Sequence, residues 1–87
     1  MEKRIWKFTF EPTDNIEIEM PKNAEILTVQ TQCEQSCIWA LVNPKEEKEI
    51  RKFRLVGTGH IINDNLGKYI GTFQIMNGQL IFHLFEK

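Results

Sequence analysis

The run Gly57-Thr58-Gly59-His60 carries the chain's strongest hint of chemistry. Glycine at 57 and 59 permits positive φ or a close backbone approach, and successive N–H groups in such a turn can cradle an anion. Arg54 stands three residues before the turn, and Lys68 follows the polar loop after it. These spacings predict a ligand site built from Arg54, Gly57, Thr58, Gly59, His60 and Lys68. Backbone N–H groups would meet phosphate oxygens, Arg54 would pair with charge, and an aromatic ring such as Trp6 would stack on a base. The same residues also read as a bulge or strand-end turn that re-aims the chain, because phosphate loops usually open onto a helix and carry more glycine.

Other constellations are weaker. His60, His83, Cys33 and Cys37 equal a zinc site in number, but the two histidines lie 23 positions apart, far outside the usual spacing of a structural site. A cysteine opening an apolar strand, as Cys37 does, is usually a small hydrophobe. A Cys33–Cys37 disulfide is disfavoured in a reducing compartment. Cys–His catalysis would need a base and an orienting group beside the thiol, which the spacing does not supply. Glu17 and Glu19 share one face of an alternating strand, the ordinary place for solvated charge. Lys52 and Arg54 share a face with Ile50 and Val56, suited either to a polar concavity or to a solvated outer face.

The elements that must position these residues are strands. Trp6, Phe8 and Phe10 alternate with Lys7 and Thr9, and Ile16, Ile18 and Met20 with Glu17 and Glu19. Residues 24–32 form a third strand, with Ile26 on one face and Leu27 and Val29 split across both. Residues 37–42 are apolar on both faces, which predicts a central strand or one at a subunit interface. Residues 49–56 alternate again, with Arg51, Phe53 and Leu55 facing one way. Tyr69, Gly71, Phe73 and Ile75 share a face and lead into Met76-Asn77-Gly78-Gln79, where Asn-Gly is a strong hairpin signal. Leu80, Phe82 and Leu84 lead away. No window shows helical periodicity beyond a short turn within 61–67. The expectation is an all-β single domain over residues 1–87, an antiparallel sandwich or small barrel of about seven strands.

Bulk composition narrows the classes. Eighty-seven residues make one small core, for which self-association is a common remedy, so a homo-oligomer is expected. A net charge of −1 gives no field for duplex nucleic acid or an anionic membrane. The apolar run at 37–42 is far short of the roughly 20 residues of a membrane span, and the amino terminus lacks a signal-peptide core. A cytoplasmic protein without metal or other cofactor is the simplest reading.

Ile5-Trp6-Lys7-Phe8, Glu11-Pro12-Thr13-Asp14 and Ile18-Glu19-Met20-Pro21-Lys22, followed by Cys37-Ile38-Trp39-Ala40-Leu41-Val42, make up the first half of a distinctive pattern. Phe53 to His60, Tyr69-Ile70-Gly71-Thr72-Phe73 and Phe82-His83-Leu84-Phe85 complete it. In order and spacing this resembles a family of small uncharacterised phage and bacterial proteins, a domain of unknown function common in phage and prophage genes. The resemblance implies a phage-associated accessory protein acting in the host cytosol. By analogy it implies work by binding, including sequestration of a nucleotide signal of host antiviral defence. The alternative is a protein–protein interaction module, either an inhibitor of a host protein or a minor virion or assembly component.

Overall fold

The computed structural model describes residues 2–87, which form seven antiparallel strands in two sheets. The strands are β1 (Arg4–Thr9), β2 (Asn15–Pro21), β3 (Glu25–Gln32), β4 (Gln35–Val42), β5 (Lys48–Gly57), β6 (Lys68–Ile75) and β7 (Leu80–Glu86). The first sheet has the order β1-β4-β3 and the second the order β2-β5-β7-β6. The sheets stack as a sandwich and do not close into a barrel. Edge strand β3 runs beside edge strand β6 on one side of the stack. No helix among the described residues is long and apolar enough to cross a membrane.

Alternation puts the core between the sheets. Ile16, Ile18 and Met20 of β2, Phe53 and Leu55 of β5, and Leu84 of β7 face Val29, Ile38, Ala40 and Val42 of the smaller sheet. Phe10 and Phe73 meet edge to face at 6.0 Å, and Phe82 stacks beside Phe73 at 5.8 Å. Met20, Ile38, Ala40 and Leu84 have no exposed surface. Strand β4 is the central strand of its sheet, as its two-sided apolarity predicts. Its inner residues are buried, and Cys37 on the outer side is buried too.

Two bulges alter the faces that strict alternation predicts. A register shift between Ile26 and Thr28 turns both Ile26 and Val29 inward and leaves Leu27 exposed. A second shift between Tyr69 and Gly71 separates Tyr69 from Phe73. Gly71 lies opposite the buried Leu84, whereas Tyr69 lies opposite Phe85 on the outer face. A Cβ at position 71 would come within 2.9 Å of Val29 Cγ1, so glycine there is what lets β6 approach β3. The β3–β4 turn is also tighter than expected. Cys33 and Glu34 alone form it, both at positive φ (50° and 65°), and β4 begins at Gln35.

Polar groups tie the ends of the stack. Arg51, on the inner side of β5, donates from Nη2 to Glu86 Oε1 of β7 at 3.1 Å and from Nη1 to the Ala24 carbonyl at 2.9 Å. The Glu86 carboxylate holds the Arg51 guanidinium charged and raises its pKa above the ordinary value. Arg51 thus bolts two strands of the larger sheet to the β2–β3 connection, with both side chains mostly shielded from water. At another turn, the Met76 N–H donates to Glu34 Oε1 at 2.7 Å and joins the β6–β7 and β3–β4 turns. In a double-mutant cycle, Arg51→Ala and Glu86→Ala should couple by about 1–3 kcal/mol in urea unfolding. Strictly additive losses would show that the pair does not bind β5 to β7.

Candidate functional site

The glycine run is a closed turn at the end of β5. The His60 N–H donates to the Gly57 carbonyl at 3.1 Å, and Gly59 has φ +86°, as a type II turn requires at its third position. The Thr58 N–H donates to the Ile81 carbonyl at 3.2 Å, and Gly57 pairs with Phe82. Two of the four N–H groups of the expected cradle, those of Thr58 and His60, are therefore spent on the sheet and the turn itself. The His60 ring folds back over Gly57: a Cβ there would lie 2.8–3.0 Å from three ring atoms. Glycine at 57 is what allows that contact.

Two recesses flank this turn. One, about 240 Å³, is lined by Gly57, Thr58, His60 and the start of β7 from Gln79 to Phe82. The other, about 160 Å³, lies on the outer face of the larger sheet between the turn, Val56, Ile62, His83 and Phe85. Val56 points outward yet is buried, because the irregular segment after β5 folds back across it.

Along this outer face runs a row of hydrogen bonds. Thr58 Oγ1 lies 2.7 Å from His83 Nε2, His83 Nδ1 lies 2.9 Å from Thr72 Oγ1, and Thr72 Oγ1 lies 2.6 Å from Tyr69 OH. Both ring nitrogens of His83 are thus held, and donor and acceptor roles along the row follow from its tautomer. The Tyr69 ring packs against Phe85 at 5.5 Å. Alternation with Ile81 and Phe85 marks His83 only as a satisfied or edge-exposed histidine. Counting register back from the Asn-Gly turn does find its partner, since Ile75 pairs with Leu80 and Thr72 therefore faces His83.

The predicted cations do not join the recesses. Arg54 forks onto Asp64, with Nε to Oδ2 at 3.0 Å and Nη2 to Oδ1 at 3.3 Å, and also donates from Nη1 to the Leu55 carbonyl at 2.6 Å. Its charge pins the segment between β5 and β6 to the sheet. Lys68 stands opposite Glu86, on the face of the sheet away from Thr72 and His83. Thr58, Gly59 and His60 are exposed at the turn, and Gly57 is buried beneath the His60 ring. Cys33 is exposed at its turn and Cys37 is buried, both as free thiols. Among the described residues no cluster of His, Cys, Asp and Glu suits a metal ion.

The Arg54 guanidinium holds the Asp64 carboxyl below its ordinary pKa of 3.8, chiefly through their hydrogen bond. A depressed folded-state value means the pair is fully formed above pH 3.8 and is lost as pH falls through the lowered value. Carbon-detected NMR should find the Asp64 carboxyl titrating below 3.8, and Arg54→Ala should return the midpoint to that value. An unchanged midpoint in the variant would remove Arg54 as the cause.

The chain belongs to a family of domains of unknown function, DUF7352, whose model matches residues 1–87. No curated protein and no solved structure matches the chain.

Proposed function

We propose that this chain is a non-catalytic, phage-type accessory protein that binds a small anionic molecule of nucleotide class around the Gly57–His60 turn. The observation that carries this reading is convergence: Gly57, Thr58 and His60 line both recesses, and His83 holds Thr58 in place. Apolar walls from Val56, Phe85, Leu80 and Phe82 suit the faces of a base. The hydroxyl–imidazole row suits its hydrogen-bonding edge. Arg54 is the cation for a phosphate, and its fork already grips one oxyanion. Asp64 occupies the place of the incoming anion, so binding exchanges a carboxylate for a phosphate on the same guanidinium.

A catalytic reading of Thr58 and His83 has less support. The hydroxyl and imidazole are close enough for proton transfer, but the group orienting the ring is the neutral Thr72 hydroxyl. An imidazolium formed there would have no carboxylate beside it. Sequestering a nucleotide signal of host antiviral defence in the host cytosol is the role that fits a binder of this kind.

A second reading rests on a separate observation. Ile61 (82% exposed), Ile62, Tyr69 (55% exposed), Leu80 and Ile81 surround the same turn with apolar surface. Such a rim suits a protein partner, making the chain an inhibitor of a host protein or an assembly component.

Calorimetric titration with cyclic and linear nucleotides separates the two. The ligand reading expects binding by the unaltered chain, loss of it in Arg54→Ala, and roughly tenfold tighter binding in Asp64→Asn, which frees the fork. Absence of nucleotide binding, together with a stoichiometric host protein captured by the unaltered chain and lost in Ile62→Asp, would replace it with the second reading.

A further inference from the structure

The sandwich is closed on one side and open on the other. Strands β3 and β6 run beside each other, so β1 and β2, at the far end of each sheet, both lie on the opposite side. Each of these strands has a paired neighbour on one edge only, β4 for β1 and β5 for β2. Unpaired edges of six and seven residues invite pairing with another chain. At this open side Trp6 and Phe8 face the core yet remain half-exposed, their rings 6.4 Å apart.

The two edges carry opposite charge. Lys3 and Lys7 lie on the outer face at β1, whereas Arg4 is on the inner side and pairs with Glu2, and Glu17 and Glu19 lie on the outer face of β2. The Lys7 ammonium donates to the neutral amide of Gln32 (Oε1, 2.7 Å) and lies over the Trp39 ring at 6.0 Å, with no carboxylate paired to it among the described residues. Neither glutamate takes part in an ion pair or side-chain hydrogen bond among the described residues. Pairing β1 with a second β1, or β2 with a second β2, would set like charges side by side. Pairing β1 with β2 sets them in opposition.

We infer that the open side is a self-association surface, where β1 of one copy adds to β2 of a second copy and β2 of the first adds to β1 of the second. A two-fold axis along the strands generates both ladders at once. The small sheet of one copy then continues into the large sheet of the other. The directions agree: β1 and β3 are both antiparallel to β4, and the short connection at residues 22–24 turns β3 back from β2, which makes β1 antiparallel to β2. Any register that keeps Lys7 on the side of Glu17 and Glu19 also keeps Trp6 and Phe8 on the side of Ile16, Ile18 and Met20. The half-exposed aromatics are then covered by the second copy's core strand. This surface lies apart from the Gly57–His60 recesses and stands without the ligand reading.

The test is native mass spectrometry of the full chain and two charge-reversed variants at tens of micromolar, with circular dichroism confirming that each is folded. The unaltered chain should be a dimer. The double variant Glu17→Lys/Glu19→Lys and the double variant Lys3→Glu/Lys7→Glu should each be monomeric alone. Mixed together they should form a heterodimer, because every ladder again joins opposite charges, and this rescue also excludes misfolding as the reason for dissociation. A monomeric unaltered chain, variants that remain dimeric alone, or a mixture that stays monomeric would each overturn the inference.

Discussion

Burial of one face of each sheet against the other is the constraint from which the rest of this structure follows. Met20, Phe53 and Leu84 from one sheet and Ile38, Ala40 and Val42 from the other fill the space between them. A chain of this size has only one such interior, and each of these side chains other than Ala40 contributes about 1.5–3 kcal/mol by leaving water. Every other feature serves to finish that interior. Arg51, at an inward position next to Phe53 in the alternation, cannot be apolar filler at the mouth of the stack. It therefore reaches Glu86 and the Ala24 carbonyl and closes the end with charge-assisted bonds. Gly71 gives up a side chain so that β6 can come up against β3.

The outer face of the larger sheet is a second, smaller version of the same problem. Val56 and Phe85 are too apolar to be left to solvent, and no third layer exists to cover them. The segment from Thr58 to Gly67 folds back instead, and Ile62 and His60 supply the cover. Its anchor is the fork of Arg54 on Asp64, a pair whose carboxylate lies at the surface, where solvent and salt reduce its strength. The recesses exist because this cover is partial.

The strands were legible because period-2 alternation is strong from Trp6 through Phe85, and the Asn-Gly turn fixed the last hairpin. What alternation could not show was where it fails. A bulge adds one residue and inverts every face beyond it, so Tyr69 left the company of Phe73 and joined Thr72 and Phe85. Cys33 and Glu34 adopt positive φ without the glycine or asparagine that usually marks it, which hid the start of β4. The Gly57–Gly59 turn was correctly located, since glycine is required there on two counts. The roles of Arg54 and Lys68 were not legible. Nothing in periodicity reveals that a loop aspartate ten residues downstream claims the one, or that the face of the other follows from a bulge.

The site therefore combines two kinds of support. Thr58, His83, Thr72 and Tyr69 are fixed by the registers of β5, β6 and β7, so their hydrogen-bonding row is preorganised and costs little to present. His60 and Ile62 sit opposite them on a segment held by the Gly57–His60 turn and by the Arg54–Asp64 ion pair. The recess therefore has one polar wall set by strand register and one apolar wall set by the folded-back segment. The side-chain fork of Arg54 on Asp64 ties the segment that carries the second wall to β5. Arg54, which the sequence offers as a ligand contact, is also the latch on the wall beside it.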